Sequence, residues 1–335
     1  MTASKRLRVV STLVVSLFII MPFLFSYHSC SNSITSHFGV RVQIVDASDH
    51  QEVAFHFPRL CHRQGTLVTA FYNFGNRSKH SEEEFKTWNE RFFSLNDSMV
   101  VYTDLHSIDT LVRLRLRSRG CTLFLLRAIT GSELWNRYDW RAQYELDPEK
   151  NIHATELYVL WNQKSLWLSE AAVLNPFEGS HFFWADAGQF RDEDFLQRFI
   201  IPNGGQLVRK PNFMPYCKLA ILSIRKFTAE EIVLSPQGES KILDARLVRL
   251  GGGNFGGDLC AVQTWRDAFL AELDRYVSSG NFAGKDQPLY GSACLKKREL
   301  CFIVDGDRVQ YINDVWFAMQ PVLHGVHATV PNYQL

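Results

Sequence analysis

The sequence predicts an α/β domain, a parallel sheet covered by helices, carried behind an N-terminal membrane anchor. Three observations predict it. An uncharged run from Val9 to Tyr27 follows the basic residues Lys5, Arg6 and Arg8. From Thr66 onward, short β-rich runs alternate with segments of helical period. The composition, 46% hydrophobic and 21% charged over 335 residues, is that of a chain with a sizeable core.

The anchor comes first in the chain. Val9–Tyr27 is long enough to cross a bilayer as a helix, and the basic cluster ahead of it should stay cytosolic, giving a type II, N-in orientation. Pro22 is tolerable near the far end of such a helix. The competing reading is a cleaved signal peptide, but the run is long for one and Tyr27-His28-Ser29-Cys30 is a poor cleavage context. Both readings place the rest of the chain in the secretory pathway. The expected organisation is a cytosolic tail (1–8), a transmembrane segment (9–27), a stem (28–62) and a lumenal domain (63–335).

Charge and cysteines agree with that placement. With Lys5, Arg6 and Arg8 set aside, 33 basic residues face 35 acidic ones, so no basic field argues for a nucleic-acid partner. Beyond Cys30, the six cysteines Cys61, Cys121, Cys217, Cys260, Cys294 and Cys301 allow 15 pairings. Cys294 and Cys301, flanking a short polar turn, are the pair expected first; buried free thiols are the alternative for the others. Asn76-Arg77-Ser78 and Asn96-Asp97-Ser98 fit the short N-glycosylation pattern, with Asn96 the better candidate of the two.

The domain's elements follow in order. Thr66–Tyr72 reads as a strand, and Ser81 with Glu84 as a capping box opening a helix that carries Phe85, Trp88 and Phe92. Met99–Tyr102 is a second strand, Ser107 opens a second helix that stops by Gly120, and Cys121–Leu126 is a third strand. Such a series is the opening of a parallel sheet. A long helix from Ala154 to Val173 ends at Asn175-Pro176, and His181–Trp184 is a strand ending in Asp186-Ala187-Gly188. Leu219–Ile224 and Ala245–Leu250 are further strand candidates, and a glycine-rich loop, 251–257, leads into a helix carrying Trp265 and Phe269. Cys301–Val304 is the last strand. Gly251, Gly253 and Gly256 satisfy G-x-G-x-x-G, yet a dinucleotide fingerprint belongs to the first βαβ unit with an acid on the next strand. Here the glycines more simply allow close backbone approach or a tight turn.

At this point an ordered series of residues resembles a known family. Thr66–Tyr72, Trp161-Asn162-Gln163-Lys164, Asn175-Pro176-Phe177, Phe183–Gly188, Gly252–Gly257 and Lys285–Leu289 together resemble the HtrL/YibB family over about residues 65–320. The resemblance implies a GT-A-like, Rossmann-related, mixed and mainly parallel sheet. It also implies a glycosyltransferase that moves a sugar from a nucleotide-sugar donor to a glycan, protein or lipid acceptor in the Golgi or endoplasmic reticulum. The alternative is a catalytically inactive lumenal carbohydrate- or protein-binding domain.

Site residues follow from the same resemblance. In GT-A enzymes a strand-end D-x-D holds a divalent cation, Mn²⁺ or Mg²⁺, against the donor diphosphate. Here Asp186-Ala187-Gly188 lacks the second carboxylate, so Asp186 would ligate a metal with help from His324 or His327, or bind ribose or acceptor without one. Lys164 would reach the diphosphate, Asp286-Gln287 would stand beside the acceptor as catalytic residues, and Thr69, Asn73, Arg77 and Asp104 would hold the nucleoside. Gly252, Gly253, Gly256 and Gly257 would floor the cleft, and Trp161 and Trp184 would either stack on sugar or fill core. Each polar residue also has a plain structural reading: a turn cap for Asp186 and Asp104, a solvated helix face for Lys164, a loop position for Arg77, and a helix N-terminus for Asp286.

Overall fold

The computed structural model describes residues 41–47, 50–56, 61, 64–74 and 81–335. The expected anchor, Val9–Tyr27, and the residues Asn76 and Arg77 lie outside the described residues. Among the described residues no helix is long and apolar enough to cross a membrane.

Arg41–Ala47 (β1) and His50–His56 (β2) form an antiparallel hairpin within the stretch expected as a stem. Gly65–Phe71 (β3) opens the main sheet, and Glu82–Phe93 (α1) follows behind the expected capping box. There Ser81 Oγ accepts from the Glu84 N–H at 3.3 Å, and Glu84 Oε2 accepts from the Ser81 N–H at 2.9 Å. Ser98–Thr103 (β4), Ile108–Arg115 (α2) and Thr122–Leu126 (β5) complete the first half. Two short helices, Glu133–Arg137 (α3) and Trp140–Leu146 (α4), precede the long helix Thr155–Leu174 (α5), which stops where Asn175 turns left-handed at φ 41°. His181–Ala185 (β6), Leu219–Ser223 (β7), the short Ala229–Ile232 (α6) and Leu250–Asp258 (β8) follow. The chain then forms Leu259–Ser278 (α7), Asp286–Lys296 (α8), Cys301–Asp305 (β9), Met319–His324 (α9) and Asn332–Tyr333 (β10).

The main sheet has eight strands in the order β10-β9-β7-β8-β6-β3-β4-β5. It is mixed and mainly parallel: β8 runs antiparallel to both β6 and β7, and β10 antiparallel to β9. Alternate strand residues feed two cores, because successive side chains point to opposite faces. Val68, Val100, Tyr102 and Trp184 pack with Trp167 of α5, Trp265 of α7 and Tyr290 of α8. Leu67, Met99, Val101 and Phe183 pack with Phe92 of α1, Leu111 of α2 and Val322 of α9. The result is three layers, helix on sheet on helix. A ladder of stacked rings runs through the first core, with Trp167 centroids 5.9 Å from Tyr72, 4.8 Å from Tyr102 and 6.4 Å from Trp184. Trp184 is therefore core, with 1% of its surface exposed, and is no sugar platform.

One strand lies elsewhere than the sequence predicts. Ala245–Leu250 is not a strand apart from its last residue, and the glycine-rich segment expected as a loop is itself β8, in the middle of the sheet. Glycine is poor in strands by propensity, but here neighbouring backbone leaves no room for anything else. A Cβ at Gly256 would lie 2.1 Å from the Phe182 carbonyl oxygen.

Buried polar groups and disulfides fix the loops. Arg115, 2% exposed, donates to the carbonyls of Phe93 (3.0 Å), Leu95 (2.6 Å), Asp97 (3.0 Å) and Gly120 (3.3 Å), and to Thr122 Oγ1 (2.8 Å). The Asp97 carboxylate accepts from the N–H groups of Leu207 and Val208 at 2.7 and 2.8 Å. Burial pushes this carboxyl up to about 6, against the pull of those two bonds and of Arg115. Cys294 and Cys301 are bonded as expected, with Cα atoms 5.7 Å apart. Cys61–Cys121 and Cys217–Cys260 are the other two bonds, at 5.0 and 4.9 Å. Asn96, the expected glycan acceptor, has its amide already engaged: Nδ2 donates to the Gly204 carbonyl (2.8 Å) and Oδ1 accepts from the Arg119 N–H (2.8 Å). A sugar on Nδ2 would have to displace those contacts.

Candidate functional site

Ligands of α/β sheets gather beyond the carboxyl ends of the parallel strands. At that edge Asp186 leaves β6, and β8 passes alongside in the opposite direction, so that the Asp186 N–H donates to the Gly253 carbonyl at 2.9 Å. α8 begins at the same edge with Asp286 in its first turn. From the helical layer behind, α5 sends in Lys164, only 4% exposed. Its ammonium lies 3.1 Å from Asp186 Oδ1, 3.4 Å from Asp286 Oδ2 and 3.1 Å from the Gly252 carbonyl oxygen. Three of the sequence-nominated residues, together with Gly252, thus meet around one nitrogen.

The two carboxylates are not equivalent. Asp186 has 43% of its side chain exposed and its Oδ1 also accepts from Trp184 Nε1 at 2.7 Å. Asp286 has 3% of its side chain exposed and sits behind the lysine. Burial raises the Asp286 carboxyl, with the Asp186 charge adding and the Lys164 charge opposing. Burial works against the Lys164 ammonium, but the Asp186 and Asp286 charges outweigh it and hold Lys164 above its ordinary value. An isolated buried charge would cost several kcal/mol, so this lysine is kept charged by its partners.

Gly252 and Gly253 line this cluster, as expected. A Cβ at Gly252 would stand 2.4 Å from Asp286 Oδ2, while one at Gly253 would stand 3.5 Å from Asp186 Oδ2. Gly256 and Gly257 do not belong to the site. The register sets Ala185 opposite Asn254 and Phe182 opposite Gly257, so these two lie toward the far edge of the sheet. They are needed there for close pairing; a Cβ at Gly257 would meet the Lys218 carbonyl oxygen at 2.7 Å.

The remaining nominees separate. Asp104 lies at the same edge after β4, but β3 intervenes between β4 and β6, putting it roughly 10 Å away at about 4.8 Å per strand. Its Oδ1 accepts from the Ser107 N–H at 2.8 Å, the turn-cap reading. Thr69 is fully buried within β3 and so cannot present its hydroxyl to a ligand in the cleft. Asn73 is exposed just past the end of β3, and Gln287 is half-buried on α8 beside Asp286. Lys164 is no solvated helix face, because α5 is packed on most of its circumference.

The histidines nominated as metal ligands, His324 and His327, engage other groups. His324, 3% exposed, binds the Gln206 carbonyl through Nδ1 at 3.0 Å and packs against Phe195, away from the lysine. His327 packs against Tyr311. Among the described residues no group of three or more His, Cys, Asp or Glu could hold a metal ion. The point on which Asp186 and Asp286 converge is filled by an ammonium at hydrogen-bond distance.

Sequence reasoning missed several supporting residues. Asn162 Nδ2 donates to the carbonyls of Tyr158 (2.8 Å), Ala283 (3.0 Å) and Gly284 (3.1 Å), pinning the segment that leads into α8. Tyr290, one helical turn beyond Asp286, hydrogen-bonds its carboxyl. Near the start of α5, His153 Nδ1 lies 2.6 Å from Asp147 Oδ2, which also accepts from Tyr158 at 2.6 Å. His153 lines a cavity of about 440 Å³ with Arg141, Tyr144, Glu145, Thr155 and Glu156, and its ring meets Trp161 edge-on at 5.1 Å. The i, i+4 spacing of Asp286 and Tyr290 was the one signal available beforehand.

Fold and site together define a three-layer α/β protein that holds, at the carboxyl edge of its sheet, a buried lysine between two aspartates. The chain belongs to the HtrL_YibB family, described as a bacterial protein of unknown function, whose profile matches residues 63–313. Among solved structures, the apo form of mouse xyloside xylosyltransferase 1 is similar at 11% identity and a TM-score of 0.36, over 81% of this chain and 97% of that one. 4-Diphosphocytidyl-2C-methyl-D-erythritol synthase from Anaerococcus prevotii is similar at 10% identity and a TM-score of 0.28, over 68% of this chain and 83% of that one. Likeness at these scores fixes neither fold nor activity. No curated protein matches the chain.

Proposed function

We propose that this protein is a glycosyltransferase of GT-A type that uses a nucleotide-sugar donor. The observation that carries the proposal is the meeting of Lys164, Asp186 and Asp286 over the Gly252 backbone at the carboxyl edge of the sheet. In this reading Asp186, the exposed carboxylate, accepts hydrogen bonds from sugar or acceptor hydroxyls. Lys164 supplies positive charge toward the departing diphosphate, and Asp286 holds Lys164 in place from behind. Asn73 and Gln287 flank the cleft on the nucleoside and acceptor sides.

The same proposal places the domain in the lumen of the Golgi or endoplasmic reticulum, tethered by Val9–Tyr27 behind Lys5, Arg6 and Arg8. Three disulfides support that compartment, since such bonds persist where the environment is oxidising. A second reading, a non-catalytic carbohydrate- or protein-binding domain, is favoured by one observation: Gly188 stands where a second carboxylate would complete D-x-D.

A thermal-shift panel of UDP- and GDP-sugars tests the first reading. A ligand at about 100 times its Kd should add about 2.7 kcal/mol and raise Tm by roughly 5–10 °C. Asp186→Asn should abolish the shift while leaving the unliganded Tm near the parent's. If no nucleotide sugar shifts Tm, the donor assignment fails. If one binds but no nucleoside diphosphate is released over a panel of acceptors, the binding-domain reading stands.

A further inference from the structure

We infer that Lys164 is the resident cation of this cleft, standing where a divalent metal would stand, so that the site works without one. A Mg²⁺ or Mn²⁺ site needs oxygens converging at about 2.0–2.2 Å on a common centre, most of them carboxylate, substrate or water. Here the oxygens of Asp186, Asp286 and Gly252 converge on a nitrogen at 3.1–3.4 Å, the reach of an N–H donor. An ammonium has three donors and no acceptor; this one donates to the Asp186 carboxylate and the Gly252 carbonyl and pairs with Asp286 Oδ2 at 3.4 Å by charge. It enters from a buried turn of α5, with Asn162 fixing the neighbouring segment, so it is built in and is not a surface side chain that has folded over.

Charge supports the same conclusion. Two ionised aspartates beside one lysine leave a single negative charge; the burial that raises Asp286 reduces even that. Little net field therefore remains to draw in a divalent ion. Asp186 alone keeps an open side, and one carboxylate is a weak ligand set for a hard cation.

Mn²⁺ alone, titrated into the full chain and followed by electron paramagnetic resonance, tests this independently of any donor. The parent protein should leave Mn²⁺ free up to roughly millimolar concentration, weaker than the sensor-class sites that carboxylate-rich loops build for Ca²⁺. Lys164→Ala should create a cation site from the two uncovered aspartates, taking up one Mn²⁺ per chain and gaining thermal stability from it. Asp186→Asn in that background should remove the gain. One tightly held Mn²⁺ in the parent, lost in Asp186→Asn, would overturn the inference; this arm decides even if Lys164→Ala does not fold. A folded Lys164→Ala that takes up no Mn²⁺ would also overturn it, by showing that the lysine does not occupy a cation position. The inference rests on the nucleotide-sugar reading only for the ligand: any donor found should bind equally with EDTA or Mn²⁺, and failure to find a donor leaves the Mn²⁺ result standing on its own.

Discussion

Adding one methyl group at either of two adjacent glycines should have unequal consequences. In Gly252→Ala, the new Cβ would lie 2.4 Å from Asp286 Oδ2, 3.0 Å from its Cγ and 3.1 Å from Oδ1. Ordinary contact begins near 3.4 Å, so the carboxyl group or the strand must shift by roughly 1 Å. Asp286 cannot swing clear, because it is buried in the first turn of α8 between Lys164 and Tyr290. Overpacking of this kind costs about 1–3 kcal/mol. In a domain of this size that lowers Tm by roughly 3–10 °C. In Gly253→Ala the nearest atom is Asp186 Oδ2 at 3.5 Å, an ordinary contact with a half-exposed side chain. Its stability should stay closer to the parent's, because the added methyl meets only this ordinary contact. Differential scanning calorimetry of the two variants settles the matter. Equal Tm values, or a larger loss at Gly253, would refute the close packing of β8 on Asp286.

Three further outcomes are expected. Arg115→Met keeps volume but strips donors from four buried carbonyls and leaves Asp97 without its neighbouring charge. Urea unfolding should show a loss of about 3–5 kcal/mol, and a loss below 1 would contradict the capping role. The buried Asp97 carboxyl holds its proton more tightly in the folded chain than in the unfolded one, so its contribution is present below 3.8 and lost as pH rises through about 6. That gap corresponds to about 3 kcal/mol, and ¹³C NMR should find one aspartate carboxyl titrating near 6; a midpoint below 4.5 would refute burial as the dominant influence. Non-reducing peptide maps should recover Cys61–Cys121, Cys217–Cys260 and Cys294–Cys301. Chain entropy gives the shortest of these loops about 2.5 kcal/mol and the longest about 4, so Cys61→Ser with Cys121→Ser should destabilise more than the equivalent change at Cys294 and Cys301.

How much of this was legible beforehand differs between fold and site. Thr66–Tyr72, Met99–Tyr102 and Cys121–Leu126 announced themselves as strands because β-branched and apolar residues crowd a core that is dry on both faces. β8 stayed hidden because glycine carries no side chain to mark a pleat; its presence follows from the Phe182 carbonyl, which sequence alone cannot place. A solvated helix face is the plain reading of Lys164, yet Asn162-Gln163-Lys164-Ser165 is a run of four polar residues in a helix. At about 100° per residue four neighbours span most of the circumference, so some had to face inward. Asp186 could be brought to the carboxyl edge by topology, since parallel strands open the same way, whereas Asp286 begins a helix and its place there was not legible. Asp104 could be brought to that edge too, but its distance depended on β3 lying between β4 and β6, and strand order is not written locally.

The Cys61–Cys121 bond has a directional consequence. Cys121 immediately precedes β5 and Cys61 stands shortly before β3, so the bond clamps the incoming chain at the amino edge of the sheet. The lysine cleft opens at the carboxyl edge, across strands five to seven residues long, or roughly 17–23 Å. Whatever holds the preceding segment therefore grips the molecule on the side opposite its cleft. A tether fastened on that side would leave the opening beside Lys164 and its aspartates turned outward, to meet freely diffusing partners.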